Sequence, residues 1–137
     1  MTLCHAIVLH AHGDIDAPGV LEAADIDVPD PGPGKVRVRV RAVALNHLDL
    51  WVRRGLPGLK LSYPHRLGSD IAGEVESVGP GVTHVRPGDR TLVAPGVSCG
   101  VCERCAAGDD NLCPRYGILG ETTNGGYSEL VNVPAVN

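Results

Sequence analysis

Four of the five cysteines, Cys99, Cys102, Cys105 and Cys113, lie within one stretch of fifteen residues, while Cys4 stands apart. An odd count, tight clustering and an N-terminus, Met1-Thr2-Leu3-Cys4-His5, without a basic start or cleavage site of secretory type argue against a disulfide framework. They argue for a metal site in a reducing compartment. The pattern Cys99-x-x-Cys102-x-x-Cys105-x7-Cys113 suits a tetrathiolate. Two intervening residues let neighbouring sulfurs converge on one ion, and the excursion through Gly108-Asp109-Asp110-Asn111 brings the fourth sulfur round to close a tetrahedron. A zinc held by four sulfurs has no open position for water or substrate, so such a site is structural. Arg104 and Arg115 are placed in sequence to offset the excess thiolate charge. An iron centre and a redox dithiol are the rival readings of the same residues.

The elements that must position this loop are short strands. The chain has 137 residues, enough for one ordinary domain, with 43% hydrophobic and 20% charged residues. A formal charge of −4 argues against nucleic acid as a partner. No apolar run approaches the roughly 20 residues needed to cross a bilayer, so no membrane association and a cytoplasmic location are expected. Glycine and proline make up about a fifth of the chain and phenylalanine is missing, which points to many turns around a core of Val, Leu, Ile and Ala.

Periodicity places strands at Ala6 to Leu9, Val20 to Val28, Val36 to Arg41, Ile71 to Gly79, Thr91 to Ala94 and Tyr127 to Val133. In the clearest of them Val36, Val38 and Val40 alternate with Arg37, Arg39 and Arg41, which reads as a core face backed by a solvated charged face. Asn46 to Arg54 is the one helical pattern, with Leu48, Trp51 and Val52 inward, Trp51 as the apolar anchor, and Gly55 as the stop. The expected fold is mainly β, a curled sheet or partly closed barrel with one or two short helices.

Several segments together carry a specific resemblance. The cysteine loop from Ser98 to Cys113, Gly68-Ser69-Asp70-Ile71-Ala72-Gly73-Glu74-Val75 with Gly79, Arg86-Pro87-Gly88-Asp89-Arg90, and Gly125-Gly126-Tyr127-Ser128-Glu129 resemble, in order, the motifs of zinc-containing alcohol dehydrogenases of the medium-chain dehydrogenase/reductase family. The resemblance implies a GroES-like catalytic domain over residues 1–137, with a structural-zinc lobe at about 96–116. In that family a Rossmann domain holding NAD(H) or NADP(H) follows, and Pro134-Ala135-Val136-Asn137 lies about where the chain would pass into it. No G-x-G-x-x-G turn between a strand and a helix is present, and Gly79-Pro80-Gly81 reads as a hairpin turn.

Asn46 and Ser69 occupy the positions where such enzymes usually carry a Cys and a His on a catalytic zinc, and neither is a good zinc ligand. Structural zinc is therefore expected without catalytic zinc. The resemblance implies catalytic roles for Asn46, Asp49, Ser69 and Asp70 in hydride exchange with a small alcohol, carbonyl, quinone or enone, and a cofactor contact for His47. Plainer roles compete: Asp49 capping the helix or pairing with Arg53, and Asp70 holding the helix to the barrel. Without a cofactor domain the chain is expected to be inactive, with an exposed apolar face near Asn46, Trp51 and Ser69, carried mainly by Leu56 to Tyr63, that favours self-association. The alternative is a stand-alone zinc-stabilised β domain used for binding or assembly.

Overall fold

Alternating valines make β3 (Lys35–Val43) the centre of the molecule. In the computed structural model, which describes residues 2–137, β3 pairs antiparallel with β4 (Ile71–Val78) on one side and β8 (Leu130–Pro134) on the other. β5 (Arg90–Val93) extends the sheet beyond β4, giving the order β5-β4-β3-β8. The register between β3 and β4 shifts twice, after Arg37 and after Val40. Such bulges bend a sheet. Gly73 sits where the second bend brings the strands together, and a Cβ there would lie 2.3 Å from the Arg39 carbonyl oxygen.

A hairpin of β1 (Thr2–Leu9) and β2 (Leu21–Val28) closes over this sheet. It is joined through the segment that precedes β8: the Ile7 amide donates to the Tyr127 carbonyl at 2.8 Å, and the Glu129 amide to the His5 carbonyl at 3.0 Å. The last strand is thus shorter than its sequence pattern, because Tyr127 and Ser128 bridge to β1, and Glu129, whose amide also bonds β1, is the first to accept from β3, at Val40. The result is the expected partly closed, mainly β barrel. Val36, Val38, Ile71, Val75, Val93, Val131 and Val133 fill it, and burial of each is worth about 1.5–3 kcal/mol. Cys4 belongs to a small buried cluster with Val28 and Leu130. No helix among the described residues is long and apolar enough to cross a membrane.

α1 (His47–Arg54) follows β3 and is packed by Leu48 and Val52 against Leu9, Val20 and Leu67. Gly55, at φ 100°, ends it and donates to the Trp51 and Val52 carbonyls. Two expectations about this region fail. Trp51 is 53% exposed, whereas Val52 at 0% is the anchor, because the buried stripe of so short a helix runs through positions 48 and 52. Leu56, Leu59 and Leu61 pack back onto the same cluster, so the exposed apolar surface is carried by Ile15, Leu45, Leu50 and Trp51 instead, and Ser69 is buried.

Arg37 corrects the reading of β3. Arg39 and Arg41 face solvent and pair with Glu76 and Glu74, but Arg37 is only 5% exposed. Its guanidinium donates to the Pro29 and Val28 carbonyls at 2.6 and 3.2 Å, to Asp30 at 3.1 Å and to Thr2 at 3.0 Å. The hairpin's ends cover this arginine, and it supplies the donors that their carbonyls require. Replacement by Ala is expected to cost about 3 kcal/mol in denaturant unfolding, since it leaves buried acceptors unmatched.

His65 is a second buried polar tie. Its backbone exchanges hydrogen bonds with Leu9, and its Nε2 lies 3.2 Å from the Gly120 carbonyl, so Nε2 carries the proton. Burial is the main cause holding its pKa below the ordinary 6.5, against the opposing pull of the Gly120 carbonyl. The unfolded chain binds a proton more readily than the native one, so stability is full above pH 6.5 and declines as pH falls below it. Denaturation curves collected from pH 8 to 5 should show this acid slope in the wild type and a shallower one in His65→Gln, which keeps a donor towards Gly120.

Candidate functional site

The cysteine loop leaves the barrel between β6 (Gly96–Val97) and β7 (Gly117–Ile118), a ladder of two residue pairs. Cys99 precedes a one-turn helix, α2 (Glu103–Ala106), which Cys102 caps and which carries Cys105. A 3-10 turn, Asp110–Leu112, then delivers Cys113. All four sulfurs lie within 4.8 Å of one another, with Cys102 and Cys105 3.5 Å apart and Cys99 and Cys105 3.9 Å apart. A tetrahedral zinc with Zn–S near 2.3 Å needs sulfurs about 3.8 Å apart, so the donor set and the spacing both fit.

At Cys99 the surroundings favour thiolate. The Val101 amide foremost, then the Arg115 side chain and the Cys102 amide, hold the Cys99 thiol down to about 5. The Arg115 amide also donates to the Cys113 sulfur at 3.4 Å. Of the two arginines expected to balance the charge, Arg115 reaches the sulfurs; no contact of the Arg104 side chain with them is seen among the described residues. Neither α2 nor the 3-10 turn buries a residue, and Val101 is 79% exposed. Apolar burial therefore cannot hold this lobe, and a metal bound by the four cysteines would. Among the described residues no other group of three or more His, Cys, Asp or Glu side chains converges in this way.

The second set of candidates gathers around the start of α1. The Asp49 carboxylate, 6% exposed, is the hub. Oδ2 accepts the Asn46 amide at 2.8 Å and the Tyr127 hydroxyl at 2.9 Å, and Oδ1 accepts the Gly68 amide at 3.0 Å. The capping role expected of Asp49 is present; the expected pairing with Arg53 is not. Tyr127, which the sequence pattern reads only as part of a strand, joins the site because Gly68 lets it. Gly68 has φ 93°, and a Cβ there would lie 2.5 Å from the Tyr127 ring. Burial first, and then the Asp49 carboxylate, hold the phenol's pKa above its usual value.

The Asn46 side-chain amide donates to the Asp70 carboxylate at 2.6 Å, tying the helix start to the beginning of β4. Ser69, between Gly68 and Asp70, is 4% exposed and its hydroxyl makes no hydrogen bond. His47 is exposed, with its ring centroid 6.3 Å from that of Trp51. Asn46, His47 and Asp49 border a pocket of about 410 Å³. A larger groove of about 980 Å³, between the hairpin and the far half of β3, is bordered by Tyr127 but by none of Asn46, His47, Asp49, Ser69 and Asp70. An amide already bonded to a carboxylate and a buried hydroxyl make poor zinc donors, and a catalytic zinc does not fit them.

Residues 32–137 match the alcohol dehydrogenase GroES-like domain family. The chain belongs to that family. It is 37% identical over 134 residues to an NAD-dependent alcohol dehydrogenase of Sulfolobus acidocaldarius, covering 94% of this chain and 38% of that protein. Among solved structures it superposes on an NAD-dependent alcohol dehydrogenase with a TM-score of 0.89 at 56% identity, covering 97% of this chain and 38% of that one. A thermostable alcohol dehydrogenase from Pyrobaculum aerophilum with cobalt and zinc bound gives 0.87 at 37% identity, covering 98% of this chain and 40% of that one. The chain thus spans about two fifths of the length of these alcohol dehydrogenases.

Within this GroES-like domain the cysteine lobe has the clearest consequence. Purified protein is expected to hold one zinc per chain by elemental analysis. Cys105→Ala, or chelation, should raise amide exchange across residues 98–115 while the barrel strands keep their protection. Uniform exchange throughout the chain would show that the lobe is not an independent metal-held unit.

Proposed function

We propose that residues 1–137 form the GroES-like catalytic domain of an NAD(P)-dependent oxidoreductase, with residues 96–116 as its structural-zinc lobe, acting on a small alcohol, carbonyl, quinone or enone. The observation that carries this reading is the bonded cluster of Asn46, Asp49 and Asp70 at the helix start, in a chain whose family likeness extends over nearly all of it. The nicotinamide cofactor would supply or accept the hydride. The chain's own residues would supply a polar wall. Asn46 and Ser69 do not suit a zinc, so this reading assigns the polarisation of a substrate oxygen to a hydrogen-bond donor, Asn46 being the one that borders the pocket.

Asp70 fixes the Asn46 amide by accepting one of its hydrogens, which leaves the other to point at a substrate oxygen. The Ser69 hydroxyl is unpaired but buried and does not line the pocket that Asn46 borders, so its role as a donor rests on the family resemblance. Asp49 acts through its neighbours by holding the helix start, Gly68 and Tyr127 in place. His47, exposed on the first turn, is suited to reach a cofactor pyrophosphate. The exposed Leu45, Leu50 and Trp51 are then where this domain would meet a cofactor domain or a second copy of itself.

The test uses two proteins. The 137-residue chain alone should leave NADH and NADPH fluorescence unchanged, since it lacks a glycine-rich strand-to-helix turn for the pyrophosphate. Exchanged for the matching segment of the Sulfolobus acidocaldarius relative, it should support reduction of quinone or enone acceptors. Asn46→Ala should lower kcat by about 100-fold there, and Ser69→Ala by less. A folded, zinc-loaded chimera with no turnover of any of these acceptors would overturn the reading and favour a binding or assembly role.

A further inference from the structure

The cysteine spacing that suits a metal also suits a redox dithiol, and the geometry of the lobe serves both. The sulfurs of Cys102 and Cys105 lie 3.5 Å apart across the start of α2, closer than the 3.9 Å between Cys99 and Cys105. A disulfide bond is about 2.05 Å long, so this pair has to close by about 1.5 Å. No apolar packing resists that movement: neither α2 nor the 3-10 turn buries a residue, and the base of the lobe is a ladder of two residue pairs. Cys99, Cys102 and Cys105 are half-buried and within reach of a small solute, whereas Cys113 is 5% exposed.

The four sulfurs are not equally protected. A hydrogen bond to a thiolate draws on its charge and lowers its nucleophilicity. Among the described residues Cys99 has three such donors, the Val101 and Cys102 amides and the Arg115 side chain. Cys105 has the Ser98 hydroxyl and the Gly100 amide. Cys113 has the Arg115 amide at 3.4 Å and is buried as well. Cys102 has the Cys105 amide alone and otherwise meets the other three sulfurs. It is thus accessible, sparsely bonded and next to a second thiolate, the arrangement of an attacking and a resolving cysteine.

We propose that Cys102 and Cys105 are a site of reversible oxidation by hydroperoxides, at which the lobe exchanges its metal for a Cys102–Cys105 disulfide. The Cys102 thiolate attacks the terminal peroxide oxygen; the O–O bond breaks, the sulfur becomes a sulfenic acid, and the departing hydroxide or alkoxide takes up a proton. The Cys105 thiolate then attacks that sulfur, forming the S–S bond and expelling hydroxide, which leaves as water. The two thiolates together lose two electrons and the peroxide gains them. Cys99 and Cys113 remain as thiolates, too few to hold a tetrahedral ion alone, so the lobe opens while the barrel keeps its core. The inference rests on the structural-zinc reading of the lobe and is independent of hydride transfer.

The experiment treats the zinc-loaded 137-residue chain with hydrogen peroxide, follows released zinc with a chromophoric chelator, and maps the oxidised cysteines by mass spectrometry after the remaining thiols are blocked. Zinc should leave in step with a disulfide joining Cys102 to Cys105, with Cys99 and Cys113 still open to alkylation. Amide exchange should rise within residues 98–115 only, and dithiothreitol should restore zinc binding. Cys102→His and Cys113→His each leave three thiolates and an imidazole, a set that also suits zinc. Under peroxide Cys102→His should release zinc about tenfold or more slowly than the wild type, and Cys113→His, which keeps the pair, at about the wild-type rate. Should either variant fail to load zinc, the wild-type peptide map still decides. A chain that takes up no zinc overturns both the structural-zinc reading and this proposal. One that holds zinc and keeps it under peroxide, a disulfide between any other pair, oxidation of single sulfurs without a disulfide, or equal protection by the two histidine variants overturns the proposal alone.

Discussion

One buried carboxylate determines where the start of α1 and the residues around it lie. Asp49 gathers donors from three segments distant in sequence: the start of α1, the loop before β4 and the segment before β8. An eight-residue helix does not hold itself in water, and only Leu48 and Val52 pack it inward. Charge-assisted hydrogen bonds of this kind are worth about 1.5–3 kcal/mol each, and losing the acceptor would strand a buried amide at Gly68 and a phenol at Tyr127. The positions of Asn46, Ser69 and Asp70 follow from that junction. Asp49 is thereby a positioning residue, whatever chemistry takes place beside it.

The barrel and the cysteine lobe are held by different forces. Valines supply the first through burial along β3, β4 and β8, with Arg37 satisfying the carbonyls where the hairpin ends fold over them. The lobe has almost no interior. Its two-pair ladder and one-turn helix would not persist without convergence of the four sulfurs, and the donors at Cys99 keep that sulfur ready to bind. Changes in metal content act on one part of the molecule, and changes in core packing on the other.

Local pattern was enough wherever local chemistry decides the outcome. The cysteine spacing, the valine alternation of β3 and the helix between Asn46 and Gly55 are all legible in the sequence, because each depends on period, ligand geometry or capping. The failures share one cause. Alternation assigns Arg37 to the face opposite the valines, but not the hairpin ends that cover that face. Helical spacing groups Trp51 with Leu48 and Val52, but not the narrow stripe that Leu9, Val20 and Leu67 leave for burial. Tyr127 reads as a strand residue because its partner Asp49 lies 78 positions away.

The pairing of β3 with β8 has a consequence for how the chain acquires its structure. β3 is made early, but one of its two neighbours is formed from Leu130–Pro134. Until the ribosome has released that segment, the central strand has an open edge, the β1–β2 hairpin lacks its bridge through Ser128, and the Asp49 carboxylate lacks its phenol. The hairpin and the β3–β4 pair can form locally, but the barrel closes only when the last strand arrives. Sheets whose closure waits on such distant pairing fold slowly and leave strand edges exposed in the meantime. The cysteine loop emerges before that final strand, so metal capture can precede barrel closure and need not wait for it.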